Sequence, residues 1–190
     1  SYVGELGWEL YVPSDMARHA FDALLGADSD GQIRLAGMHA LDSCRVEKKF
    51  VHFGHDVGEE DTPLEAGMGF VCAMDKPIPF IGREAIAAQR EHRGPLPKRL
   101  VQFLLDDSEV MLYHHEPIIL DGKPVGFLTS GSYAHTLGAA VGLGYVYDDG
   151  GVGKDYIANS QFEIEVGGER IPARASLRAM YDPRGERLRG

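Results

Sequence analysis

The chain has 190 residues, of which 44% are hydrophobic and 25% charged, and its formal net charge is −10. This length and composition predict one or two globular domains with a substantial core. The acidic balance argues against nucleic acid or an anionic membrane as a partner, and no apolar run approaches the ~20 residues that span a bilayer. Two cysteines, Cys44 and Cys72, are too few for a disulfide scaffold, so we expect a reducing, cytoplasmic compartment.

The opening run, residues 1–12, has the alternating pattern of a strand that enters a core. Glu9 stands between Trp8 and Leu10, and further aromatic residues flank them. Apolar and charged side chains that alternate with a period of two are typical of a half-buried strand. The run has no initiator methionine and no leader pattern, so we expect the chain to be the C-terminal portion of a longer protein.

The rest of the first half is predicted to be mainly helical. Ser14 or Asp15 is expected to cap the first helix. A later apolar segment, from Met68 to Met74, is predicted to be extended. The predicted helices span residues 14–25, 35–49 and 80–90.

The second half has the pattern of a small β domain. A linker at Gly94–Pro97 resists both helix and central strand because it contains two prolines and a glycine, and beyond it the hydrophobic period changes to two. The predicted strands span residues 100–105, 117–120, 124–130, 141–147, 161–166 and 169–175. The fold class is therefore α+β, with a small antiparallel β-barrel or sandwich at the C-terminal end.

Two candidate reactive sites are weak. His52, His55 and Asp56 offer three potential metal ligands within five residues, but no cysteine or further histidine follows at a recognised interval, so no metal site is assigned. Ser130 lies in a Ser-Gly-Ser sequence that lacks the glycine spacing of a nucleophile elbow. We therefore assign no catalytic residue within the chain.

Glu9 is the strongest candidate for ligand binding. A carboxylate on an apolar strand is costly to bury unless it accepts hydrogen bonds. The donor is either a structural arginine or a ligand with two adjacent N–H groups, such as a pterin or guanine ring, and the residues alone leave both open. Tyr2, Tyr11 and Phe70 are either flat walls for an aromatic ligand or ordinary core residues.

Six segments, taken together, resemble the folate-binding aminomethyltransferase family, which includes the glycine cleavage T-protein and the C-terminal portions of dimethylglycine and sarcosine dehydrogenases. They occur in the family's order and extend over nearly the whole chain. Residues 46–50 also resemble the Leu-Glu-Lys-Gly-Phe/Tyr run of the dehydrogenase branch, with Lys49 at the glycine position, and Leu41 replaces an arginine typical of the glycine-cleavage members. The six segments are residues 2–11, 45–48, 54–56, 62–67, 80–85 and 129–132.

The resemblance implies a fold and a folate site. It implies that residues 1–94 are the C-terminal part of a folate-binding domain and residues 98–190 a barrel domain, together forming one side of a central folate channel. It further implies that Glu9 binds the pterin ring of tetrahydrofolate. The surrounding residues would be Tyr2, Leu10, Tyr11, Phe70 and, by a looser match, Tyr181.

The implied function is one-carbon capture. In the dehydrogenase branch, an upstream flavin domain oxidises an N-methyl amine, and tetrahydrofolate takes up the carbon as its methylene derivative. The family's acid/base aspartate and the FAD-binding domain would both lie in a missing upstream part of the same polypeptide or in a partner subunit, so we expect the chain alone to be inactive. The alternatives are a stand-alone T-protein-like aminomethyltransferase, another tetrahydrofolate-dependent methyltransferase, or a non-catalytic folate-binding module.

Overall fold

The structure, a computed structural model, describes residues 2–92 and 94–190. A short 3₁₀ turn at Ser14–Met16 leads into the first of four α-helices, and a second 3₁₀ turn lies at Gly69–Val71. The helices are α1 (Ala17–Gly26), α2 (Met38–Glu47), α3 (Arg83–Glu91) and α4 (Lys154–Asn159). The strands are β1 (Leu96–Leu105), β2 (Pro117–Leu120), β3 (Lys123–Ala134), β4 (Ala139–Val152), β5 (Phe162–Val166) and β6 (Glu169–Ser176).

The six strands form a closed antiparallel barrel in the order β1-β4-β3-β2-β5-β6. All six predicted strands are present, and the α+β class with a C-terminal barrel is confirmed. Closure gives every strand a hydrogen-bonded neighbour on both sides, so the barrel has no open sheet edge.

Alternate residues of the strands build two separate cores. Val101, Phe103 and Leu105 of β1 point into the barrel, where the Phe103 and Phe162 rings meet edge to face with centroids 5.5 Å apart. Leu100 and Leu104 point to the opposite side and pack in a second cluster with Val46 of α2. The period-two pattern of β1 therefore fixes one face in the barrel and presses the other against α2.

The opening run does not form the predicted strand. Ser1 lies outside the described residues, residues 2–6 form turns and bends, and residues 7–13 have no regular structure. All six strands of the described residues belong to the barrel, so none pairs with this run. An extended segment without a hydrogen-bonding neighbour gains no ladder and remains irregular.

Three further predictions need correction. The segment from Met68 to Met74 is a 3₁₀ turn with flanking loops, because Gly67 takes φ +74° and Val71 N–H donates to Met68 C=O. Neither Ser14 nor Asp15 caps a helix through its side chain; Pro13 precedes the 3₁₀ turn instead. The linker is shorter than predicted, since β1 already begins at Leu96, which pairs with Val152 before a register shift.

The predicted helices in the first half are confirmed with narrower bounds. Each begins three residues later than expected, and α4 was not predicted. Among the described residues, no helix combines the length and apolar composition that a membrane crossing requires.

Candidate functional site

A buried polar network joins α2 to the barrel. The Nη1 of Arg45 lies 2.6 Å from Oδ2 of Asp56, and its Nη2 donates to Oγ of Ser130 at 2.8 Å. The Ser130 hydroxyl donates to Oδ1 of Asp56 at 2.7 Å. All three residues are at most 3% exposed. A fully paired charge of this kind fixes the position of the helix on the sheet, because each partner is costly to leave unpaired.

The same network uses the carboxylate of Asp56, which the sequence analysis considered as a potential metal ligand. Its carboxylate also accepts hydrogen bonds from Thr129 Oγ1 at 2.5 Å and from the backbone N–H of His52 at 2.9 Å. Within residues 2–92 and 94–190, no group of three histidine, cysteine or acidic side chains is placed to hold a metal ion. The carboxylate of Asp56 therefore serves the ion pair with Arg45.

The C-terminal end of α2 is held by two further buried groups. Glu47 accepts hydrogen bonds from the backbone N–H groups of Thr136 and Leu137, at 2.8 and 2.9 Å. Gln102 of β1 donates to the carbonyl of Val46 at 2.7 Å and accepts from the backbone N–H of Met180. These contacts tie the helix to the turn after β3 and to the C-terminal segment.

The two ends of the chain meet at the end of α2. The ammonium of Lys48 is paired with the carboxylate of Asp182 and lies 5.0 Å from the centre of the Tyr181 ring. The phenol of Tyr181 donates to Glu5 at 3.0 Å. Gly4, at φ +79°, lies directly over the Lys48 side chain, where a Cβ would be 2.3 Å from Cγ. We call these five residues the terminal latch.

The surroundings of Asp182 in the terminal latch favour its charged carboxylate form. Its hydrogen bond from Lys48, with further hydrogen bonds from the backbone of Glu186 and Arg187, lowers the pKa of Asp182 to about 2. The backbone N–H of Leu6 also donates to the carbonyl of Arg187 at 2.9 Å. The latch therefore fixes the base of the segment that carries Glu9.

Glu9 itself lies on an exposed loop. Its Oε2 accepts a hydrogen bond from the Tyr11 hydroxyl at 2.8 Å, and this hydrogen bond raises the pKa of Tyr11. Trp8 and Tyr11 are 91% and 90% exposed. The expectation that the Glu9 carboxylate is buried among aromatic side chains is wrong for this chain. The segment contributes no paired strand, so nothing in the described residues covers it.

The six predicted site residues do not lie together in one region. Glu9, Leu10 and Tyr11 share the exposed loop, whereas Tyr181 belongs to the terminal latch. The remaining two differ in exposure. Tyr2 is half-buried and its hydroxyl hydrogen-bonds to the carbonyl of Val51, and Phe70 on the second 3₁₀ turn is 85% exposed. In the part of the chain that the structure describes, no hydrogen bond or ring contact links Phe70 to the other five.

A groove of about 790 Å³ lies between α2, β3 and the segment that precedes β2. Gly131 permits the close approach that forms its floor, because a Cβ there would lie 2.7 Å from the backbone of Leu112 and Tyr113. Its lining includes His39, Asp42, Cys44, His55, His114 and His135. Sequence reasoning missed this groove, since one wall, residues 39–45, lies more than 60 positions along the chain from the other, which residues 111–114 and 130–135 form.

The buried network was also missed, although a signal was present. Arg45, Asp56 and Ser130 belong to three different segments among the six that carry the family resemblance. Their separation in sequence concealed the contact, and only the fold brings the three together.

Comparison with known proteins agrees with this architecture. The family model described as GCVT N-terminal domain matches residues 1–76, and the one described as glycine cleavage T-protein C-terminal barrel domain matches residues 98–182. A crystal structure of the glycine cleavage system aminomethyltransferase T from Bartonella henselae aligns with a TM-score of 0.78 at 22% identity, over 96% of this chain and 48% of that one.

Three curated relatives are similar over nearly the whole chain. The 4-methylaminobutanoate oxidase (formaldehyde-forming) of Paenarthrobacter nicotinovorans is 46% identical over 100% of the chain and 22% of its own length. The human mitochondrial sarcosine dehydrogenase is 34% identical over 100% of this chain and 21% of its own length. The mouse mitochondrial pyruvate dehydrogenase phosphatase regulatory subunit is 37% identical over 93% of this chain and 21% of its own length.

The chain thus spans about a fifth of the length of these relatives. Both halves of its sequence match family models, and its barrel and helices match the solved aminomethyltransferase fold. The chain belongs to the folate-dependent aminomethyltransferase family of the glycine cleavage T-protein, alongside portions of the sarcosine and dimethylglycine dehydrogenases.

Proposed function

We propose that the chain binds tetrahydrofolate through Glu9, as the folate-binding portion of an enzyme that oxidises an N-methyl amine. The observation that carries the proposal is the exposed loop itself. Glu9 accepts one hydrogen bond from Tyr11 and keeps further acceptor capacity on its carboxylate. A carboxylate can accept two parallel N–H bonds from a pterin, and the neighbouring Trp8 and Tyr11 rings offer flat apolar surface.

Exposure of these rings supports a binding role. Large contiguous apolar patches are uncommon on isolated proteins and mark surfaces that another group covers. Trp8, Leu10 and Tyr11 are each more than 60% exposed, and so is Phe70. The residues present therefore fit a flat heteroaromatic ligand with paired N–H donors.

The chain's contribution to catalysis is proposed to be positioning. Bound tetrahydrofolate supplies the amine nitrogens that accept a one-carbon unit. Glu9 orients the pterin ring, and the terminal latch holds the base of the Glu9 loop through Tyr181 and Lys48. Fixing one reactant in this way removes much of the entropic barrier to the transfer.

The remaining parts of the reaction are proposed to lie elsewhere. We propose that a further part of the same polypeptide, or a partner subunit, covers the apolar loop and supplies both the acid/base aspartate and the FAD-binding domain. The proposal draws on the share of the relatives' length that the chain spans, about a fifth, and on the amine substrates in two relatives' names. A small N-methyl amine would be the substrate, and the cytoplasm the proposed location.

A non-catalytic role is the second candidate. One relative, 37% identical over 93% of the chain, is named as a regulatory subunit. In that case the same site would sense tetrahydrofolate without turning it over. The two candidates are distinguished by activity, because both require Glu9 for binding.

Calorimetry of tetrahydrofolate binding tests the proposal, using the polypeptide encoded by the full reading frame. Glu9→Gln keeps the size of the side chain but removes its charge and one acceptor. We expect a loss of about 1.5–3 kcal/mol, roughly 10- to 150-fold in affinity. Unchanged affinity would refute the role of Glu9.

A matched control and an activity assay complete the test. Glu91→Gln removes a charge from an exposed glutamate at the end of α3, so it should leave affinity unchanged. Demethylation of sarcosine or 4-methylaminobutanoate with methylene-tetrahydrofolate as product supports the enzyme. Tight folate binding without turnover of N-methyl amines favours the regulatory module.

A further inference from the structure

Half of the histidines of the chain line the groove between α2, β3 and the segment that precedes β2. They come from four separate places: α2 itself, the loop that follows it, the segment before β2 and the turn after β3. All four are exposed residues. They are His39, His55, His114 and His135, of eight histidines in the chain. A chain with a net charge of −10 therefore concentrates many of its basic nitrogens in one groove.

The rings of these histidines have no polar partner among the described residues. Within residues 2–92 and 94–190, no hydrogen bond or salt bridge involves the side chain of any of the four. The centroids of the His55 and His114 rings lie 6.0 Å apart. Those of His135 and Tyr133 lie 5.1 Å apart. The same part of the chain contains no preformed metal centre that would use these rings. Their ring nitrogens are therefore available to a ligand.

Two further donors line the groove beside the histidines. Arg45 is 3% exposed and carries two hydrogens on Nη2, of which one is donated to Oγ of Ser130 at 2.8 Å. The other has no acceptor in the part of the chain that the structure describes. The hydroxyl of Ser132 makes no hydrogen bond there either. A buried guanidinium N–H without an acceptor is costly, so an acceptor supplied by a ligand would complete the site.

The charges of the groove favour an anion over a cation. Asp42 is the one carboxylate among the described residues that line it, and its Oδ1 already accepts a hydrogen bond from Nε of Arg45 at 3.0 Å. The other ionisable lining groups are phenols, of Tyr113 and Tyr133, and the thiol of Cys44, whose pKa is raised by burial. An anion placed near an imidazole also favours the protonated form of that ring.

We propose that this groove binds the carboxylate or phosphate group of a small organic anion. Imidazole, guanidinium and hydroxyl groups are suitable donors to such oxygens, and His55, His114 and Arg45 would supply them. The volume of the groove, about 790 Å³, exceeds that of an oxyanion alone and is typical of a site for a small organic molecule. The rings of Tyr113 and Tyr133 offer apolar surface to the rest of the ligand.

The groove site is separate from the assignment of Glu9. None of the six residues predicted to bind folate lines the groove. Failure of tetrahydrofolate binding at Glu9 would therefore leave the groove site standing, and the reverse also holds. Its histidines are exposed and make no contact that the buried network of Arg45 requires, so they can be replaced without removing that network.

Calorimetry with the polypeptide encoded by the full reading frame tests the proposal. Sodium benzoate and sodium phenyl phosphate are titrated separately at pH 7 and constant ionic strength, and benzamide serves as the uncharged analogue. We expect saturable binding of at least one anion and binding of benzamide that is at least ~10-fold weaker. The double variant His55→Ala/His114→Ala should lose about 10-fold or more in affinity for that anion. His19→Ala, at an exposed histidine of α1, should bind as the wild type does.

Chemical modification of the wild type locates the bound anion without any substitution. Diethyl pyrocarbonate modifies imidazole rings, and mass spectrometry of the peptides measures the extent at each histidine. The anion that binds should protect His55 and His114 and leave the modification of His19 unchanged.

The two anions also distinguish the chemistry of the ligand. Binding of benzoate alone identifies a carboxylate ligand, and binding of phenyl phosphate alone a phosphate ligand. The proposal is overturned if neither anion binds saturably, if benzamide binds as tightly as the anions, or if the double variant keeps the affinity of the wild type. It is equally overturned if a bound anion leaves His55 and His114 unprotected.

Discussion

Arg45 and Asp56 form an ion pair, 2.6 Å from Nη1 to Oδ2, that is almost entirely removed from solvent. The pair stands at the junction of α2 and the barrel, where Ser130 of β3 completes its hydrogen bonds. Removal of one partner leaves the other buried and unpaired, which is more harmful than the loss of the attraction itself. The position of α2, and of the Lys48 that follows it, depends on this contact.

Arg45→Met should therefore lower the free energy of unfolding by about 3–5 kcal/mol. Chemical denaturation measures the change. Arg18→Met is the matched control, because Arg18 is exposed and its pair with Asp22 is 3.6 Å long; its effect should be about 0.5 kcal/mol or less. If Arg45→Met and Arg18→Met have the same free energy of unfolding, the buried network does not hold α2 against the barrel.

The terminal latch predicts a specific dependence on acid. The pKa of Asp182 in the folded chain is about 2, below its ordinary value of 3.8. A lowered carboxyl pKa stabilises the fold fully above pH ~4, and this stabilisation is lost as pH falls toward 2. Asp182→Asn should therefore be less stable than the wild type at pH 6, and the gap should narrow between pH 4 and 2.

Denaturant unfolding across that pH range checks the prediction. Asp15→Asn is the control, since Asp15 is exposed and lies outside the latch. A gap for Asp182→Asn that stays constant from pH 6 to pH 2 would show that the charge of Asp182 does not stabilise the fold.

The barrel depends on a close approach at Gly126. A Cβ there would lie 1.8 Å from the carbonyl oxygen of Tyr145 on the neighbouring strand, so β3 and β4 would have to separate. Gly126→Ala should lower the free energy of unfolding by about 2 kcal/mol or more. Gly26→Ala, in α1 with open space around it, should instead stabilise the chain by about 0.5–1 kcal/mol. If Gly126→Ala and Gly26→Ala changed the free energy of unfolding equally, the close approach of β3 and β4 at Gly126 would be contradicted.

The sequence predicted the barrel well because its signals are local. Alternation of apolar residues and turn pairs such as Asp121-Gly122 define each strand, and closure of the barrel lets every strand keep its pattern. The opening run has the same pattern, but a strand also needs a neighbour, which a single segment does not reveal. Burial of Glu9 was mispredicted for that reason.

The site was less predictable than the fold. Tyr181 and Glu5 lie 176 positions apart, and Arg45 and Ser130 lie 85 apart, so no local period signals either contact. The family resemblance picked out Glu9, and its motifs included Arg45, Asp56 and Ser130 without indicating that they meet.

The most direct test of the account is a thermodynamic cycle on Glu9. Affinities are measured for tetrahydrofolate and for an analogue that lacks the 2-amino group, each with the wild-type full-length polypeptide and with Glu9→Gln. If the carboxylate holds the paired N–H groups of the pterin, the two changes remove the same interaction, and their effects should be non-additive by about 1 kcal/mol or more. Additive effects would mean that Glu9 does not contact the pterin, and the account would be wrong.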